Sequence, residues 1–584
     1  METSGIDTVS SPAPCGSKPI LRENAWLPAA IVLLALALRV AWLGIKPAHF
    51  DEGVNGWFVD DMTRKGFYHY DPGNFHGPLH FYLLFVAQTL FGRHVWALRL
   101  PVVLFSTGCV AMVYAFRRYL GARVCHLTAL AVAVSPGMVF YGRYAIHESE
   151  QIFFMMLVVW GGLGLLSAPQ EPAPQDNAEG GGEEPRTCWP LWTAALGVTG
   201  MVLTKETYVI HLAALLLAFP ALWILERFSP SAAAPFRQPN WRSHQDSMAN
   251  AALVSIALIV FFYTGGLLDW SSLPGLWETF AKWGSTGTSG ASGHEKPWYY
   301  WLQLLVQYEW FALVGFVAIA WLLRRGKNRL IRYLAIASVG TLVAYSGISY
   351  KTPWCVISIT WPLFFVFGYV VDRAADRFGS WRTWPVVAVF FLTLLFHSDH
   401  EFPGHDYFEN RFPENAFVSG FYSNKLPSGT IPLNFSHFAN DDEPYAYVQT
   451  TVDVRKLLDP LRWLTRHDPV YYHLPGHILI PIEESHPLPW LLGDFTQIDY
   501  LDEKNAPAQM DATFLLVDDS IVSDTEERLN EPYFKDSFLL RGSSGQFVTL
   551  YLQAKIFAPY FPGRSPEFHP HAGPAKEIQQ EADK

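Results

Sequence analysis

The residues best suited to chemistry follow the first apolar run of the sequence. Asp51 and Glu52 stand side by side just beyond that run, and His76 and His80 follow in the same connection, residues 45–96. Connections between membrane helices are ordinarily short, and long loops are usually functional or disordered. This one is too rich in aromatic residues and histidine to be disordered. We therefore predict an active-site loop at a membrane surface.

Each of these signals also has a plainer explanation. A pair such as Asp51–Glu52 is common at a solvated helix start. His76 and His80 are spaced to share one helix face, where they could bind a metal ion or pack as polar side chains, and two ligands make a poor metal site. Lys205 and Glu206 could form an ion pair that helps a helix end. The ionisable residues at the ends of later apolar segments are Arg143, His147, Glu148, Lys205, Glu206 and Lys351.

Composition places the chain in the membrane class. Of its 584 residues, 50% are hydrophobic, 16% are charged and 15% are aromatic. The apolar residues are clustered, as they are in membrane proteins. The net charge of -11 argues against a nucleic-acid partner, because a phosphate backbone calls for a basic surface. The five cysteines lack metal-site spacing, and we expect no disulfide framework.

The sequence predicts about eleven membrane-spanning helices, each needing about twenty apolar residues. The run 78–92 is short and polar in places, so we predict an interfacial helix there. With that run left out, the arginine and lysine clusters of the short loops fall on one side, which is the positive-inside pattern. This parity puts the N-terminus in the cytoplasm and the C-terminus outside. The predicted spans are residues 25–44, 97–116, 124–142, 150–167, 188–203, 208–225, 250–268, 304–323, 331–349, 354–371 and 383–397.

The chain divides into four parts at the sequence level. Residues 1–24 form a cytoplasmic tail, and residues 25–397 form the transmembrane module with external loops 45–96 and 269–300. Residues 398–564 are predicted to be an extracytoplasmic α/β domain with a mostly parallel sheet, because strand and helix patterns alternate there. Residues 565–584 form a polar tail. We predict strands at 445–450, 478–482, 512–517 and at a final edge, 546–553, helices at 452–466 and 489–492, and disordered linkers at 169–185 and 284–293.

The candidate residues of separate loops converge on one face of the membrane under this topology. Asp51, His76, Arg143, Lys205 and Lys351 come from different connections, and all of them face outside. A carrier with its site in the bilayer centre would place charges in mid-helix and in repeated halves. We interpret the sequence as lacking both features, so the chemistry is expected at the outer face.

The order of these elements resembles the GT-C superfamily of membrane glycosyltransferases, of the protein O-mannosyltransferase and lipid A aminoarabinose transferase type. Several motifs are similar, more closely, to a prokaryotic family of flippase-associated N-glycosylation proteins, and the likeness extends to Tyr445-Ala446-Tyr447 and Pro487-Leu488-Pro489-Trp490. The chain departs from many GT-C relatives, which carry an aspartate after the outer arginine, at His147-Glu148. The motifs are Phe50-Asp51-Glu52, Tyr70-Asp71-Pro72 with His76-Gly77-Pro78, Ser135-Pro136, Tyr141-Gly142-Arg143-Tyr144, Thr204-Lys205-Glu206-Thr207 and Lys351-Thr352-Pro353-Trp354.

The resemblance implies transfer of a sugar from a polyprenyl-phosphate carrier to a protein, glycan or lipid acceptor at the outer face. In that reaction Asp51 would act as the general base, and Glu52 would orient it or hold a divalent cation, the one cofactor considered. Three cations would stabilise the leaving phosphate: Arg143, Lys205 and Lys351. The remaining substrate-binding candidates are His76, His80, His147, Glu148 and Glu206.

Two alternatives from other classes stay open. The chain could be a non-catalytic accessory or carrier protein for lipid-linked sugars, which needs a lipid groove and cationic phosphate contacts but no general base. It could also be a membrane anchor that presents the external domain to partners. That last hypothesis leaves the carboxylates of the outer face unexplained.

Overall fold

The computed structural model describes most of the chain. The predicted tail 1–24, the linker 169–185 and all but the first few residues of the predicted tail 565–584 lie outside the described residues. The described ranges are residues 26–74, 76–166, 188–231, 245–288, 293–398, 427–440, 442–501, 507, 509–542 and 545–570.

A bundle of α-helices makes up the first two thirds of the described chain. Most of its buried apolar side chains form one continuous core, and two smaller clusters pack around the helices Phe50–Lys65 and Leu79–Phe91. The helices are α1 Trp26–Val40, α2 Phe50–Lys65, α3 Leu79–Phe91, α4 Val95–Met112, α5 Arg117–Leu120, α6 Ala122–Val134, α7 Pro136–Tyr141, α8 Glu148–Leu166, α9 Trp189–Thr204, α10 Tyr208–Phe228, α11 Gln245–Tyr263, α12 Gly275–Thr288, α13 Tyr300–Gln307, α14 Trp310–Val317, α15 Ile319–Arg325, α16 Arg329–Gly347, α17 Val356–Phe378 and α18 Ser380–Phe396.

The bundle is that of a multi-pass membrane protein. Within the described residues, six helical segments are long and apolar enough to cross a bilayer, and four shorter helices are also apolar. The count is lower than the eleven predicted spans because several predicted spans are short or interrupted. The six segments are Val95–Leu120, Glu148–Leu166, Tyr208–Phe228, Gln245–Tyr263, Arg329–Gly347 and Pro353–Phe378.

Two of the predicted spans are broken where their polar residues meet. Span 124–142 breaks at Ser135, where Pro136 begins α7, since proline has no backbone N–H to continue a helix. Span 304–323 breaks between α13 and α14 at Glu309. The Glu309 carboxylate accepts hydrogen bonds from the Ser135 hydroxyl and the Gly137 backbone N–H, each at 2.7 Å. Glu309, at the break between α13 and α14, therefore accepts hydrogen bonds from donors at the start of α7, which have no partner within their own helix.

The connection 45–96, which the sequence predicts to be external, is largely helical. It contains α2 and α3, and the thirteen-residue α3 covers the run 78–92 for which an interfacial helix is predicted. In the connection 269–300, also predicted to be external, residues 284–288 form the end of α12, so the prediction of a disordered stretch 284–293 is wrong there.

A five-stranded sheet follows the bundle, with strand order β2-β1-β3-β5-β4. β1 pairs in parallel with β2 and β3, whereas β5 pairs antiparallel with β3 and β4. Leucines of the helix Arg455–His467 share a core with the strands. The strands are β1 Gly476–Leu479, β2 Ile498–Tyr500, β3 Phe514–Asp518, β4 Tyr533–Arg541 and β5 Gln546–Gln553, and the other helices are Thr430–Phe435, Leu488–Leu491, Val522–Glu526 and Ala554–Phe557.

The sheet corrects three predictions. It is mixed rather than mostly parallel, because β4 forms a hairpin with β5 and places β5 inside the sheet instead of at its edge. The strand β4 was not predicted, since the charged pair Lys535-Asp536 interrupts its apolar pattern. The predicted strand 445–450 is absent from the described structure, and of that segment only Thr450 makes an isolated bridge, to Arg541.

Candidate functional site

A cavity of about 250 Å³ lies at the end of the helix bundle nearest the sheet. The first turn of α2, the connections after α7 and α9, and the segment after α16 contribute its walls, together with aromatic side chains such as Trp301, Trp354 and Tyr345. Seven of the ten candidate residues line it: Asp51, His76, His147, Glu148, Lys205, Glu206 and Lys351. Candidate residues from separate loops of the sequence therefore meet in one cavity.

Asp51 reaches the cavity from the first turn of α2. Its backbone N–H donates to His49 Nδ1 (3.0 Å), and His49 caps the helix. Because Nδ1 accepts this bond, the imidazole proton lies on Nε2, which donates to the Tyr447 carbonyl at 2.9 Å. Among the described residues, no group donates to the Asp51 carboxylate itself. The carboxylate is thus fixed in position by its backbone and left available to a ligand.

Glu52 points away from the cavity and is fully buried. Its oxygens accept from the Arg99 guanidinium, from the His49 N–H (2.8 Å) and from the Ala145 N–H (2.8 Å). Burial alone would raise the pKa of the Glu52 carboxyl, but Arg99 and the backbone donors bring that pKa below its ordinary value. A carboxylate has about four acceptor positions, and all four are taken. Of the two predicted roles, metal ligation therefore does not fit, and orientation of α2 does.

Arg143 also lies outside the cavity, which corrects its predicted role as a phosphate contact. Its Nη1 donates to the carbonyls of Leu38 (2.9 Å) and Ala41 (2.7 Å), and its Nη2 donates to Trp42 (3.2 Å). These carbonyls belong to the C-terminal end of α1, where the last turn of a helix leaves acceptors without partners. Arg143 is consequently a helix cap that acts through Nη1 and Nη2, while its Nε is buried with no hydrogen-bond partner among the described residues.

The three candidate histidines lie in a row, with tilted rings, between two glutamates. His76 Nδ1 lies 2.9 Å from Glu206 Oε2, and His80 Nδ1 lies 2.8 Å from Glu150 Oε1. The His147 ring lies between them, with ring centroids 4.4 Å from His76 and 4.0 Å from His80. His80 is buried behind the cavity wall rather than lining it. It is therefore a support for His147 and not a substrate contact.

Burial and the neighbouring side chains together determine whether the His147 imidazole is charged. Burial lowers the pKa of the His147 imidazole, and nearby His80, His76 and Lys205 lower it further. Its Nε2 is buried and has no hydrogen-bond partner in the described part of the chain. His147 thus presents a neutral ring to the cavity.

Two lysines supply the positive charge of the cavity. Lys205 Nζ forms an ion pair with Glu148. Lys351 Nζ donates to the carbonyls of Lys296 (3.1 Å) and Ile348. An ammonium group has three N–H donors, so each lysine keeps donor capacity beyond these contacts. Both are buried, which strengthens any charge interaction they make with a ligand.

The segment 487–490 presses directly on α2. A Cβ atom at Gly53 would lie 2.3 Å from the Pro487 Cα, and one at Gly56 would lie 2.5 Å from the Trp490 ring. Only glycine allows this close approach. The C-terminal unit, the described residues between 427 and 570 that contain the sheet, therefore fixes the helix that carries Asp51, which gives Pro487 and Trp490 a positioning role.

Sequence reasoning missed several residues that support the site. Arg99 and Glu309 are ionisable residues inside predicted spans 97–116 and 304–323, a signal that ordinarily marks a functional or structural site. The interpretation that the spans lack internal charges was therefore wrong. Lys46 is also buried, with its ammonium 3.7 Å from the Tyr144 ring centroid, and nothing in its local sequence indicates this.

The described residues contain no group of three or more His, Cys, Asp or Glu side chains arranged to hold a metal ion. Asp51 is the member of the Asp51–Glu52 pair whose carboxylate still has open acceptor positions.

Comparison with known proteins gives matches of two kinds. The family model for dolichyl-phosphate-mannose-protein mannosyltransferase matches residues 75–172. YkcB of Bacillus subtilis (strain 168), which is named as a mannosyltransferase, is 24% identical over 142 residues. That match spans 22% of this chain and 20% of YkcB. Both matches are therefore partial.

Similarity to solved structures extends over almost the whole chain. The crystal structure of ArnT from Cupriavidus metallidurans bound to undecaprenyl phosphate superposes with a TM-score of 0.56 and 14% identity, covering 91% of this chain and 98% of ArnT. The apo form of ArnT gives a TM-score of 0.53 at 12% identity, with the same coverage. At these identities the likeness establishes the fold.

Proposed function

From the GT-C membrane glycosyltransferase fold of this chain, we propose that it transfers a sugar from a polyprenyl-phosphate carrier to an acceptor at the outer face of the membrane. The observation that carries the proposal is the single cavity that brings Asp51 together with Lys205 and Lys351. A carboxylate with no hydrogen-bond donor among the described residues shares this cavity with two cations. That pairing suits a reaction in which an acceptor loses a proton while a phosphate leaves.

The reaction is a displacement at the anomeric carbon of the donor. The acceptor oxygen forms a bond to that carbon as its proton passes to the Asp51 carboxylate. The bond between the carbon and the phosphate oxygen breaks, and its electron pair remains on the polyprenyl phosphate. Attack from the face opposite the phosphate inverts the configuration of the sugar.

Asp51 is the best base in the cavity because the other carboxylates are engaged. Glu148 pairs with Lys205, and Glu206 pairs with His76. Asp51 also lies in the first turn of α2, where the helix dipole stabilises a carboxylate. The His49 cap and Glu52 hold that turn in place, so Glu52 acts by positioning.

Lys205 and Lys351 are proposed to contact the phosphate. The group that leaves gains negative charge, and fixed cations in a buried site stabilise such charge at the moment it develops. His147 presents a neutral ring suited to a sugar hydroxyl, since its unpartnered Nε2 can exchange hydrogen bonds with one. The undecaprenyl phosphate bound by ArnT supports a polyprenyl phosphate as the lipid here.

The orientation belongs to the same proposal. The arginine-rich loops of the sequence fit a cytoplasmic N-terminus and an external C-terminal unit. The cavity lies at the bundle end nearest that unit, so the donor lipid and a protein, glycan or lipid acceptor would meet outside.

Turnover by the purified full-length protein tests this function. The wild type is incubated with a panel of polyprenyl-phosphate sugars and of peptide, glycan and lipid acceptors, and release of polyprenyl phosphate is measured. We expect at least one pair to react. Donor binding without turnover across the panel would favour an accessory or carrier role instead. Chelation with EDTA, followed by added Mg²⁺, tests the divalent cation in the same assay.

A further inference from the structure

A second cavity, of about 420 Å³, lies between the connection from α3 to α4 and the C-terminal unit. Its walls come from that connection, from the helix Arg455–His467 and from the segment that follows Leu488–Leu491. It shares no lining residue with the candidate site. Sugar transfer as described above leaves this cavity without a role.

The second cavity is rich in arginine. Arg93, Arg462 and Arg466 line it, together with one carboxylate, Asp494. Arg93 is already bound by Asp60 at 2.6 Å and lies 3.5 Å from Asp494. The excess positive charge therefore comes from the other two arginines.

Arg462 and Arg466 are one helical turn apart and exposed. Neither has an ion-pair or hydrogen-bond partner among the residues that the structure describes. Like charges at this spacing repel each other and destabilise a helix. An anion held between the two guanidinium groups would remove that repulsion. The local excess of positive charge stands out because the protein as a whole is acidic, with a net charge of -11.

The helix that carries Arg462 and Arg466 is hydrogen-bonded to the chain just beyond the end of α1. Arg455, on the same helix as the two arginines, donates from Nη2 to the Ile45 carbonyl just beyond α1 (3.2 Å). Trp42 and Trp96 stand beside that position with 73% and 40% of their surfaces exposed. Exposed tryptophans are enriched at the interface between lipid and water. The helix Arg455–His467 thus lies beside the C-terminal end of α1, and the exposed tryptophans are the signal that this end lies at the level of lipid headgroups.

We propose that this second cavity binds the phosphate headgroup of an anionic phospholipid, held by Arg462 and Arg466. Guanidinium groups bind phosphate oxygens in pairs. Leu458, Leu461 and Leu491 add apolar walls beside the cations, which suits a molecule with a charged head and an apolar body better than a free ion. The bound lipid would seat the C-terminal unit on the membrane. This inference does not depend on the sugar-transfer reaction.

Lipid binding by the full-length protein in detergent tests the proposal. The probe is fluorescent phosphatidylglycerol, and the comparison lipid is phosphatidylcholine, which carries the same phosphate but no net charge. We expect the wild type to prefer phosphatidylglycerol and Arg462→Gln/Arg466→Gln to bind it at least about tenfold more weakly, because hydrogen bonds to charged groups are lost. Added salt should weaken binding by the wild type more than by the variant.

Two control variants sharpen this test. Arg528→Gln/Lys555→Gln removes the same charge from positions outside the cavity and should bind like the wild type. Arg462→Lys/Arg466→Lys keeps the charge but loses the paired guanidinium donors, and its affinity should lie between those of the wild type and the Gln variant. Equal binding by the Gln variant and its charge-matched control would overturn the proposal. So would equal affinity for the two lipids, and displacement by inorganic phosphate with no preference between lipids would assign the cavity to a free phosphate instead.

Discussion

Glu52 and Arg99 form a fully buried ion pair, with Arg99 Nε 2.7 Å from Oε1 and Nη2 2.6 Å from Oε2. The same guanidinium donates to the carbonyls of Leu43 and Pro47. The pair therefore ties the start of α2 to the chain that leaves α1. Asp51, which is adjacent to Glu52 in the sequence, is held at the cavity by this network. The two carboxylates therefore differ in role: Glu52 holds the helix, and Asp51 faces the cavity.

Glu52→Gln should lower the free energy of unfolding by about 3 kcal/mol or more, because it leaves the buried Arg99 charge without its counter-ion. Thermal unfolding of the purified protein measures this loss. Asp61→Asn, in the same helix, removes a carboxylate paired with the exposed Lys65 and should cost less than about 1 kcal/mol. Equal losses in the two variants would contradict the structural role of Glu52.

The fall in the free energy of unfolding at acidic pH should depend in part on the Glu52 carboxylate. The pKa of Glu52 is lowered in the folded protein, so the unfolded chain binds the proton more readily. The stabilisation is complete above the ordinary glutamate pKa of about 4.5 and is lost as the pH falls through the lower folded value. Unfolding measured from pH 6 downward should show this loss in the wild type and a smaller one in Glu52→Gln.

The sequence predicted the cavity well and the partners of its residues poorly. Loops far apart in the chain could be placed together because the arginine pattern predicts that they face the same side of the membrane. The different roles of Asp51 and Glu52 could not be predicted, because the deciding partner, Arg99, lies in a predicted span 47 residues away. Arg143 was predicted to contact the phosphate because its true partners, too, are distant in the sequence. Its helix-capping bonds depend on packing against the end of α1, which local sequence does not encode.

Lys205→Gln and Lys351→Gln should each weaken binding of the donor lipid by about one to two powers of ten, the usual loss for a hydrogen bond to a charged group. Arg143→Gln should lower stability and leave donor affinity unchanged, because its guanidinium is occupied by the end of α1. Direct binding of a radiolabelled polyprenyl phosphate measures all three. Donor affinity that falls in Arg143→Gln but not in the lysine variants would reverse this assignment.

Gly53→Ala should reduce sugar transfer by displacing α2, since its new methyl group would lie 2.3 Å from the Pro487 Cα. Gly162→Ala makes the same change in α8, where a Cβ atom meets nothing within 4 Å, and should leave transfer unchanged. Initial rates with saturating donor provide the comparison. Full activity in Gly53→Ala would show that the contact with segment 487–490 does not position Asp51.

The predicted topology can be tested with single cysteines in a protein freed of its native ones. A cysteine at the exposed positions Ser285 or Ser523 should react with an impermeant thiol reagent in intact cells, whereas one at the exposed Lys327 should react only after lysis. This pattern follows from the arginine-rich loops on the cytoplasmic side. Labelling of Lys327→Cys alone in intact cells would place the cavity on the cytoplasmic side.

The rate of sugar transfer by Asp51→Asn tests the central claim most directly, with Asp61→Asn as its matched control in the same helix. The substitution keeps the size of the side chain and removes the proton acceptor. Because a general base contributes about two to four powers of ten in rate, transfer should fall by at least about a hundredfold, while donor binding and thermal unfolding stay as in the wild type. The control should transfer sugar at the wild-type rate. Full activity in Asp51→Asn would contradict the assignment of Asp51 as the base.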